Sequence, residues 1–566
     1  MTVIATAGHV DHGKSSLVRA LTGIEPDRLA EEQRKGMTID LGFAHMTTPS
    51  GVVLSFVDVP GHTDFVRTMI AGVSGVDVAL LVIDAGEGWK PQTEEHLGIL
   101  EVLGVRCGAV AVTKCDRVDD AALDLCHTQI AARLSQSPIN WTGIVHTSVR
   151  TGQGLHELTS TLEHLTTTVA RTAAPWAPRL FVDRVFTIKG SGTIVTGTLD
   201  SSSLATNDAL VIARTGRQVR VRSLQTHGET VTECQPGDRC AANIVGEGTD
   251  SVMRGDALVR ADSWFDTTAF DARITVLAGL NGPLTHRGSF TVHVGTHFQS
   301  ATVRIIDGDS VPVGGNGRIR VRFAVPLPLR PTDRFLLRDT GTNVTVGGGV
   351  ILDVNPVARL SRADPDGSVQ SIMAGRGFVP VHTAELLTGK QLEPVAGQWF
   401  AVHEEVESTR AGLVARIESM TSIALAGLEA HERDLVATIP GVVIDGDTAR
   451  LGAHDPVRSH PLLAEIKSWG LTGPDSAALD RNMVRQFVQK GLVFEHDSVA
   501  FHVDTLTDLR GQLEELWRNH PAGFLVSHLR ETLGITRKHA VPLAECLDRL
   551  GLTRRVGDAR VPGHAW

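Results

Sequence analysis

Hydrophobic and polar residues follow three successive patterns along the chain. From Thr2 to about Thr168, continuous apolar runs such as 2–7 and 109–112 alternate with helical stretches, the last being Leu155–Leu165. Continuous apolar runs are typical of strands buried on both faces of a sheet. Their alternation with helices predicts a doubly wound α/β domain.

The pattern changes after the Pro- and Ala-rich segment 173–178, which is typical of a linker. Short runs of alternating apolar and polar residues then follow, divided by Gly and Asp, as in 180–186, 192–197 and 218–222. A second such stretch includes 317–323. Turn signals at this spacing predict two consecutive β-barrels.

The C-terminal part contains a degenerate repeat. An apolar strand, a polar turn and a return strand recur at 441–451, 491–501 and 551–561, and a shorter copy ends at 399–402. Each copy follows a helical segment and is expected to form a hairpin. Helices followed by a hairpin, repeated in this way, predict about four tandem winged-helix modules.

A glycine-rich motif directly follows the first apolar run. Residues 8–15 are Gly-His-Val-Asp-His-Gly-Lys-Ser, and a helical pattern begins at Ser15. The N–H groups of such a loop and the helix N-terminus bind phosphate oxygens, while the Lys adds charge and the Ser offers a hydroxyl to Mg²⁺. The predicted phosphate-binding residues are Gly8, His9, Val10, Asp11, His12, Gly13, Lys14, Ser15 and Ser16.

The next motif ends the apolar run 52–57. Asp58 can hold a Mg²⁺-bound water, and the N–H of Gly61 can approach a γ-phosphate. Thr38, in the segment 36–40, is placed to supply a second hydroxyl to the metal. His62 is the candidate catalytic residue, either as a base or by orienting the attacking water. The predicted metal ligands are Ser15, Thr38 and Asp58.

Two further strand ends indicate which base is bound. Asp116 can accept two hydrogen bonds from the edge of guanine, which adenine does not offer, and the stem of Lys114 can lie across the base. The run 143–148 ends where backbone N–H groups can reach guanine O6. The predicted base-binding residues are Thr113, Lys114, Asp116, Ser148 and Val149. Since all these motifs follow the C-terminal ends of separate strands, they predict a GTPase that binds GTP and GDP.

The motifs at 8–15 and 58–62 resemble those of translational GTPases of the elongation factor Tu type. That family has one α/β domain and two small barrels, so the resemblance covers about residues 1–356. The family usually has Asn where Thr113 stands. The Thr113 hydroxyl can still tether the loop, and Asp116 retains the selectivity for guanine.

The formal net charge of −10 requires any nucleic-acid contact to come from a local patch. Residues 530–566 contain seven basic and four acidic residues, a net of +3. One basic cluster opens a predicted helix and another lies in the predicted wing, so both can face one phosphate backbone. A solvated charged face is the alternative. The predicted RNA-binding residues are Arg537, Lys538, His539, Arg554, Arg555 and Arg560.

With this C-terminal array, the whole chain resembles the bacterial selenocysteine-specific elongation factors. The most specific stretches are 534–540 and 554–558. The resemblance implies binding of GTP and selenocysteyl-tRNA by the first three domains. It also implies that the terminal winged helices hold an mRNA hairpin just after a UGA codon, and that the ribosome stimulates GTP hydrolysis.

The resemblance further implies an aminoacyl pocket that contains Asp183, Arg184 and His227. A selenol is more acidic than a thiol, so positive donors would favour the selenocysteine anion over neutral cysteine. For Arg184, an ordinary salt bridge with Asp183 is an equal alternative.

The predicted fold class is therefore α/β plus all-β plus α/β winged helix. The predicted domains are a doubly wound P-loop GTPase domain at 1–172, a β-barrel with the aminoacyl pocket at 177–261, a second β-barrel at 264–356, and the winged-helix array at 361–566, whose last module is 506–566.

Six scattered cysteines without a C-x-x-C pair fit a reducing compartment. The phosphate motif begins at residue 8, so we expect no signal peptide, and no apolar run reaches the ~18 residues of a membrane span. These features predict a cytoplasmic protein without membrane contact, which we expect to be a monomer. The alternatives are another tRNA-delivery or initiation GTPase of the elongation factor Tu type, or a GTP-switched winged-helix regulator that binds DNA.

Overall fold

The computed structural model describes the chain apart from residues 1, 27–31, 33–37, 63–65, 74, 169–176, 189–191, 453–456, 459 and 565. Residues 173–176 of the predicted linker and residues 36–37 beside Thr38 lie outside the described part. The chain forms two compact units, 1–405 and 406–566, so the predicted array at 361–566 is divided between them. None of the described helices has the length and apolar character needed to cross a bilayer.

Unit 1 begins with a six-stranded sheet. Its strands are β1 (Thr2–Ala7), β2 (Gly42–Thr47), β3 (Val53–Asp58), β4 (Val78–Asp84), β5 (Cys107–Thr113) and β6 (Asn140–His146). The described helices around it are α1 (Lys14–Thr22), α2 (Val66–Val73), α3 (Pro91–Val102), α4 (Asp120–Leu134) and α5 (Leu155–Thr168). The strand order is β2-β3-β1-β4-β5-β6, and every pairing is parallel except that of β2 with β3.

Both faces of this sheet are buried. Ala79, Leu81 and Ile83 of β4 belong to one apolar cluster, whereas Leu80 and Val82 belong to another. Burial on both faces explains why the strands are continuous apolar runs in the sequence. The prediction of a doubly wound domain is confirmed.

The first barrel contains ten short strands. They are β7 (Arg179–Phe181), β8 (Arg184–Ile188), β9 (Gly192–Asp200), β10 (Leu204–Ala205), β11 (Ala209–Ile212), β12 (Arg217–Thr226), β13 (Glu229–Val231), β14 (Glu233–Cys234), β15 (Arg239–Val245) and β16 (Ala257–Val259). Six of them pair in a closed ring, β11-β16-β7-β9-β15-β12, because β12 also pairs with β11. The predicted run 180–186 is broken at Val182 and Asp183, where the Val182 N–H donates to the Asp256 carbonyl of a neighbouring segment.

The second barrel is closed. Its strands are β17 (Phe265–Val276), β18 (Leu284–Thr285), β19 (Phe290–Val294), β20 (His297–Ile305), β21 (Ser310–Val311), β22 (Asn316–Leu329), β23 (Arg334–Asp339) and β24 (Thr345–Asp353). The ring order is β17-β22-β20-β19-β23-β24. Phe270 and Phe335 are fully buried in its core. Both predicted barrels are thus confirmed.

Helices and hairpins follow the barrels. Unit 1 ends with α6 (Val369–Met373), β25 (Val379–Pro380), α7 (Val381–Thr388) and β26 (Trp399–Phe400), and the chain enters unit 2 within α8 (His403–Met420). Unit 2 continues with β27 (Ser422–Ala424), α9 (Ala430–Val436), β28 (Val442–Asp445), β29 (Thr448–Leu451), α10 (Pro461–Ser468), α11 (Arg481–Gln489), β30 (Val493–His496), β31 (Val499–His502), α12 (Val503–Thr507), α13 (Arg510–Asn519), α14 (Val526–Leu533), α15 (Arg537–Arg549), β32 (Thr553–Val556) and β33 (Ala559–Pro562).

The three long hairpins form where the repeat predicts them. Strand β28 pairs with β29, β30 with β31, and β32 with β33, all antiparallel. The shorter copy does not form the predicted hairpin, because β25 and β26 pair across the intervening helix α7. Each hairpin follows a helix, so the winged-helix character of this region is confirmed. Short 3-10 turns lie at Cys115–Arg117, Thr249–Ser251, Leu360–Arg362, Leu425–Gly427, Gly470–Thr472 and Ser476–Ala478.

A buried ion-pair network joins the two barrels. The Arg179 guanidinium in β7 donates to both oxygens of Asp333, at 2.6 and 2.8 Å, and to Asp200 at 2.5 Å. It also lies 4.2 Å from the ring centroid of Trp264. The side chains of Arg179 and Asp333 are only 5% and 7% exposed, so each depends on the other to compensate its lost hydration.

Replacing Arg179 therefore tests how firmly the barrels are joined. Arg179→Ala leaves Asp333 buried without two of its donors, and breaking such a buried pair costs ~3–5 kcal/mol. We expect a clear drop in the urea midpoint of unfolding of the full chain. The control Arg133→Ala removes an exposed pair with Glu94 at 3.9 Å and should cost less than ~1 kcal/mol. Equal midpoints for the two variants would show that the buried network does not contribute more to the free energy of unfolding than the exposed pair.

Candidate nucleotide-binding site and aminoacyl pocket

The loop between β1 and α1 has a path that glycine alone permits at its first position. Gly8 has φ +135°, and a Cβ there would lie 2.2 Å from the Val82 carbonyl oxygen of β4. Gly13 has φ +84° and ends the loop at the helix N-terminus. The Lys14 ammonium donates to the carbonyls of Gly8 at 3.2 Å and His9 at 2.9 Å, which places its charge against the loop. Asp11 and Ser16 are exposed at the rim.

Helix α3 holds this loop from beneath. The Gly8 N–H donates to His96 Nδ1 at 3.0 Å, and the Val10 N–H donates to Gln92 Oε1 at 3.2 Å. His96 is fully buried, and burial lowers its pKa to about 3, so the neutral ring is available as an acceptor. Sequence reasoning missed both residues. Their signal is a pair of polar side chains four positions apart, which places them on one face of α3.

His12 supports the loop as well, through its main chain. Its ring is fully buried, Nδ1 lies 3.3 Å from the Val82 carbonyl oxygen, and burial lowers the pKa to about 4. The His12 carbonyl accepts a hydrogen bond of 2.7 Å from the Thr113 hydroxyl. The tether expected of Thr113 is thus present. Because the ring packs into the interior, the phosphate contact predicted for His12 is left to its main chain.

The predicted metal ligands come together. Ser15 Oγ and Thr38 Oγ1 lie 2.8 Å apart. Asp58 is fully buried, accepts a hydrogen bond of 2.6 Å from Thr6 Oγ1, and is thereby fixed at the end of β3. Neighbouring ligands of an octahedral Mg²⁺ at 2.0–2.1 Å are about 3 Å apart. Two hydroxyls at this separation and a buried carboxylate on the adjacent strand therefore fit the ion.

Gly61 lies directly against the phosphate loop. A Cβ on Gly61 would be 2.4 Å from Lys14 Nζ and 2.8 Å from the Val10 nitrogen. Only a glycine therefore lets the segment after β3 pass here. His62 follows it and is half-buried, and the next residues, 63–65, lie outside the described part of the chain.

The predicted base-binding residues lie at the other end of the loop. Ser148 Oγ donates to Asp116 at 2.7 Å, and this hydrogen bond lowers the pKa of Asp116, which stays an acceptor at neutral pH. The Ser148 N–H itself donates to the Gln153 carbonyl at 3.0 Å. Ser148 therefore acts through its hydroxyl on Asp116, and its N–H is not the donor predicted for guanine O6. Val149 is exposed beside it.

Lys114 links the base-binding loop to the phosphate loop. It has φ 55°, and its ammonium donates to the Asp11 carbonyl at 2.7 Å and pairs with Asp84 at 2.7 Å. Asp84, at the end of β4, also accepts from the Gly86 N–H at 2.8 Å. Sequence reasoning missed Asp84. Like Asp58, which was predicted, Asp84 is the last residue of a buried strand.

The pocket predicted in the first barrel lies against the sheet of the nucleotide domain. Arg184 pairs with Asp40 at 2.9 Å and donates to the Leu41 carbonyl. Asp183 instead accepts from Arg239 at 2.8 Å. The alternative of a salt bridge between Arg184 and Asp183 is therefore wrong. The partners differ because Asp183 lies in the break between β7 and β8, whereas Arg184 is the first residue of β8.

His227 faces the same cleft. Its Nε2 lies 2.7 Å from Ser55 Oγ of β3, and its ring stacks on His45 with centroids 4.3 Å apart. Burial, and then the neighbouring His45, lower its pKa, so it is neutral at pH 7. The positive donors here are Arg184 and Arg239, of which sequence reasoning missed the second. The cleft has a volume of about 330 Å³ and is lined by residues that include Phe43, His45, Ser55, Arg184, His227 and Arg239.

The basic residues of the last module differ in their availability. Arg537 and Lys538 are exposed at the start of α15, and their side chains form no ion pair with any residue the structure describes. His539 Nδ1 lies 3.0 Å from Thr536 Oγ1. The start of α15 thus presents two uncompensated positive charges to solvent.

The wing contributes fewer charges than predicted. Arg554 and Arg555 are exposed, and Arg555 lies 3.6 Å from Glu545. Arg560 is only 2% exposed and pairs with Glu545 at 2.8 Å and Asp548 at 3.0 Å. Arg560 is therefore removed from the predicted RNA surface, because its guanidinium is held inside the module by two carboxylates.

Three family models match this chain. The elongation factor Tu GTP binding domain matches residues 1–168, the β-barrel domain of selenocysteine-specific elongation factor matches residues 271–358, and the winged helix of elongation factor SelB matches residues 515–561.

Two relatives that match almost the whole chain share the same name. The selenocysteine-specific elongation factor of Desulfomicrobium baculatum is 32% identical, with 99% of each chain covered, and that of Escherichia coli (strain K12) is 30% identical, with 98% of each covered. The crystal structure of a bacterial selenocysteine-specific elongation factor, EF-Sec, shares the fold with a TM-score of 0.66 at 24% identity over 100% of both chains.

The buried histidines beneath the loop predict a pH dependence. The pKa values of His96 and His12 are lowered to about 3 and about 4, against about 6.5 in an unfolded chain. The unfolded chain therefore binds more protons below about pH 6.5, and the stabilisation by the neutral rings is lost as the pH falls towards 4. We expect the thermal midpoint to fall between about pH 7 and pH 5, whereas the affinity of the folded protein for GDP should not change through these two rings, which stay neutral in the folded state at pH 5.

His96→Gln keeps an acceptor for the Gly8 N–H but does not titrate, so its decline should be shallower than that of the unchanged protein. His164→Gln, which replaces an exposed histidine of α5, serves as the control and should leave the slope unchanged. The interpretation fails if the control flattens the profile as much as His96→Gln does.

Proposed function

The chain belongs to the family of selenocysteine-specific elongation factors and is a translational GTPase, and on this premise we propose that it delivers selenocysteyl-tRNA to the ribosome at UGA codons marked by a hairpin in the mRNA. In this proposal the nucleotide domain, residues 1–172, binds GTP and Mg²⁺. The first barrel, 177–261, binds the aminoacyl group, and the second barrel, 264–356, binds the tRNA together with the first two domains. The last module, 506–566, binds the mRNA hairpin. The observation that supports it most directly is the arginine-lined cleft beside the segment that carries Thr38.

The nucleotide site supplies charge and position. Lys14 and the loop N–H groups would bind the phosphates, and Ser15, Thr38 and Asp58 would hold Mg²⁺, which neutralises charge on the phosphate oxygens when bound. Phosphoryl transfer needs an aligned water more than covalent chemistry. His62, next to the close approach of Gly61 to the loop, is placed to orient that water.

The cleft supplies selectivity for an anion. Arg184 uses Nη2 for Asp40 and Leu41, and its Nε is buried without an acceptor among the described residues. The side chain of Arg184 nevertheless lines the cleft, where its positive charge attracts an anionic ligand more than a neutral one. A selenocysteine side chain is the anion at neutral pH, whereas a cysteine thiol with a pKa near 8.5 is mostly neutral.

Arg184→Ala tests this pocket. We expect the affinity for selenocysteyl-tRNA with GTP to fall about tenfold or more, since a charge-assisted hydrogen bond contributes ~1.5–3 kcal/mol. The affinity for GTP should stay within about twofold. Binding of selenocysteyl-tRNA and cysteinyl-tRNA is compared with GTP and with GDP for each variant.

The matched control is Arg220→Ala, which removes an exposed arginine of the same barrel and should change neither affinity. Equal losses of tRNA and GTP binding in Arg184→Ala, or no loss of either, would remove the pocket from the proposal.

The last module supports RNA binding by its exposed charges. Arg537 and Lys538 begin α15, and Arg554 lies in the wing that follows. Lys and Arg side chains that neutralise phosphates release counterions, so binding through them depends on salt. We propose that these three residues carry the contact with the mRNA hairpin in the cytoplasm.

The double variant Arg537→Gln/Lys538→Gln of the full chain tests the RNA surface. We expect weaker binding of an RNA stem-loop taken from just after an in-frame UGA codon, and a slope of log affinity against log salt that is smaller by about 2. The charge-matched control Arg481→Gln/Arg485→Gln changes exposed residues of α11 in the preceding module. A comparable loss in the control would contradict the assignment to the last module. Tighter binding of a duplex DNA of equal length would favour the DNA-regulator alternative.

A further inference from the structure

Arg184 is held by a segment of the nucleotide domain. Its Nη2 pairs with Asp40 Oδ2 at 2.9 Å and donates to the Leu41 carbonyl. Both side chains are partly buried, Arg184 to 24% exposure and Asp40 to 28%, and Leu41 is buried. Two acceptors on one edge of the guanidinium fix its orientation, because the fork geometry of arginine is rigid.

The neighbouring contacts reinforce this hold. The other carboxylate oxygen of Asp40 lies 3.5 Å from Arg254, so the carboxylate is shared by two guanidinium groups. The Phe43 ring lies 5.1 Å from the Arg184 guanidinium and 3.6 Å from that of Arg239, measured to the ring centroid. Residues 40–43 thus contact both arginines of the cleft.

The same segment is tied to the nucleotide site. Thr38, two residues before Asp40, lies 2.8 Å from Ser15 between hydroxyl oxygens. The N–H groups of Ile39 and Asp40 both donate to Glu32 Oε1 at 3.0 Å. Consecutive Cα atoms are 3.8 Å apart, so a displacement of Thr38 from Ser15 cannot leave Asp40 undisturbed over so short a connection.

We propose that Asp40 is a positioning residue that couples the nucleotide to the aminoacyl pocket. With Thr38 ordered at the nucleotide, Asp40 and the Leu41 carbonyl hold Arg184 by Nη2 and keep its guanidinium at the cleft, oriented for the anionic side chain of the cargo. When the γ-phosphate is lost and Thr38 leaves Ser15, Asp40 releases Arg184 and the pocket loses its oriented donor. This inference rests on the proposed function and adds the means by which GTP controls affinity for the cargo.

Both contacts of the proposed coupling are present together in the described structure. The contact of Thr38 with Ser15 and that of Asp40 with Arg184 occur in one conformation. Arg184 also lines the cleft while Asp40 and Leu41 hold its Nη2, so the held side chain borders the proposed ligand site. A ligand shifts such an equilibrium only by its differential affinity for the two states. The two states here differ in whether Arg184 is held.

The experiment measures binding of selenocysteyl-tRNA to the full chain with a non-hydrolysable GTP analogue and with GDP. In Asp40→Ala we expect the affinity with the GTP analogue to fall about tenfold, the affinity with GDP to stay within about twofold, and the affinities for the nucleotides themselves to be unchanged. Asp40→Glu should restore most of the loss, since it returns a carboxylate. Seryl-tRNA of the same tRNA, whose side chain is neutral, should bind equally to all variants.

A double-mutant cycle gives the decisive comparison. Asp40→Ala should cost nothing more in an Arg184→Ala background, because its effect passes through Arg184. Additive losses would overturn the inference, as would a gain of affinity in the GDP form, which would make Asp40 a competitor of the cargo. Glu25→Ala removes a carboxylate from an exposed pair with Arg19 and should change nothing.

The two levels of the proposal fail differently. If the unchanged protein with GTP does not prefer selenocysteyl-tRNA to cysteinyl-tRNA, the proposed function fails. If it does prefer it and Asp40→Ala binds like the unchanged protein, this inference alone is overturned. Should Asp40→Ala fail to fold, Asp40→Asn keeps the side-chain size, removes the charge and provides the same comparison.

Discussion

The position of the phosphate loop depends on polar groups buried beneath it. A buried N–H or carbonyl without a partner is costly, so each must be met by a group from a neighbouring element. The Gly8 N–H is met by His96, the His12 carbonyl by Thr113, and the Val59 N–H by Thr6, which also donates to Asp58. These partners come from β1, β5 and α3. The loop is therefore placed by the whole sheet, and its motif supplies only the path that glycine allows.

Charged pairs join the domains of unit 1 together with apolar contacts, since Phe181 of the first barrel packs in the core of the second and Leu336 of the second packs in a cluster of the nucleotide domain. Arg179 with Asp333 joins the barrels, and Arg184 with Asp40 joins the first barrel to the nucleotide domain. The first of these pairs is almost fully buried, but the second is about a quarter exposed. Exposed ion pairs contribute little free energy, so the second contact can be exchanged at low cost. A partly exposed pair such as Arg184 with Asp40 therefore suits a contact that is proposed to form and break as the bound nucleotide changes.

The sequence predicted features that depend on local pattern. The phosphate loop, the three long hairpins and the helix that opens at Arg537 are each defined by a few consecutive residues. The partners of Arg184 and His96 could not be predicted. Leu41 lies 143 residues from Arg184 and Gly8 lies 88 residues from His96, and no local periodicity reports on such pairs.

Arg560 is a different kind of failure, since its partners are close in sequence. Glu545 and Asp548 are three residues apart on α15, so they lie on one helix face, and the hairpin that carries Arg560 folds back onto that helix. The net charge of +3 that was counted from the sequence of residues 530–566 treats Glu545 and Asp548 as surface charges, although both pair with Arg560. Counting them as internal partners removes Arg560 from the exposed set, and Arg555 stays exposed but lies beside Glu545 and Asp558. Arg537, Lys538 and Arg554 are left as the three exposed charges of the basic surface that have no acidic neighbour among the described residues.

Selectivity in the cleft has to come from the ligand, because the two arginines that supply its positive charge do not titrate near neutral pH. Arginine stays protonated at any physiological pH, and burial keeps His227 neutral. Sulfur and selenium differ little in size, and pockets discriminate weakly between side chains of similar shape. The ionisation of the two side chains does differ, and a fixed guanidinium that lines the cleft responds to that difference. A cleft built on a titrating histidine or lysine would respond to solution pH as well, and would lose this dependence on the chemistry of the cargo alone.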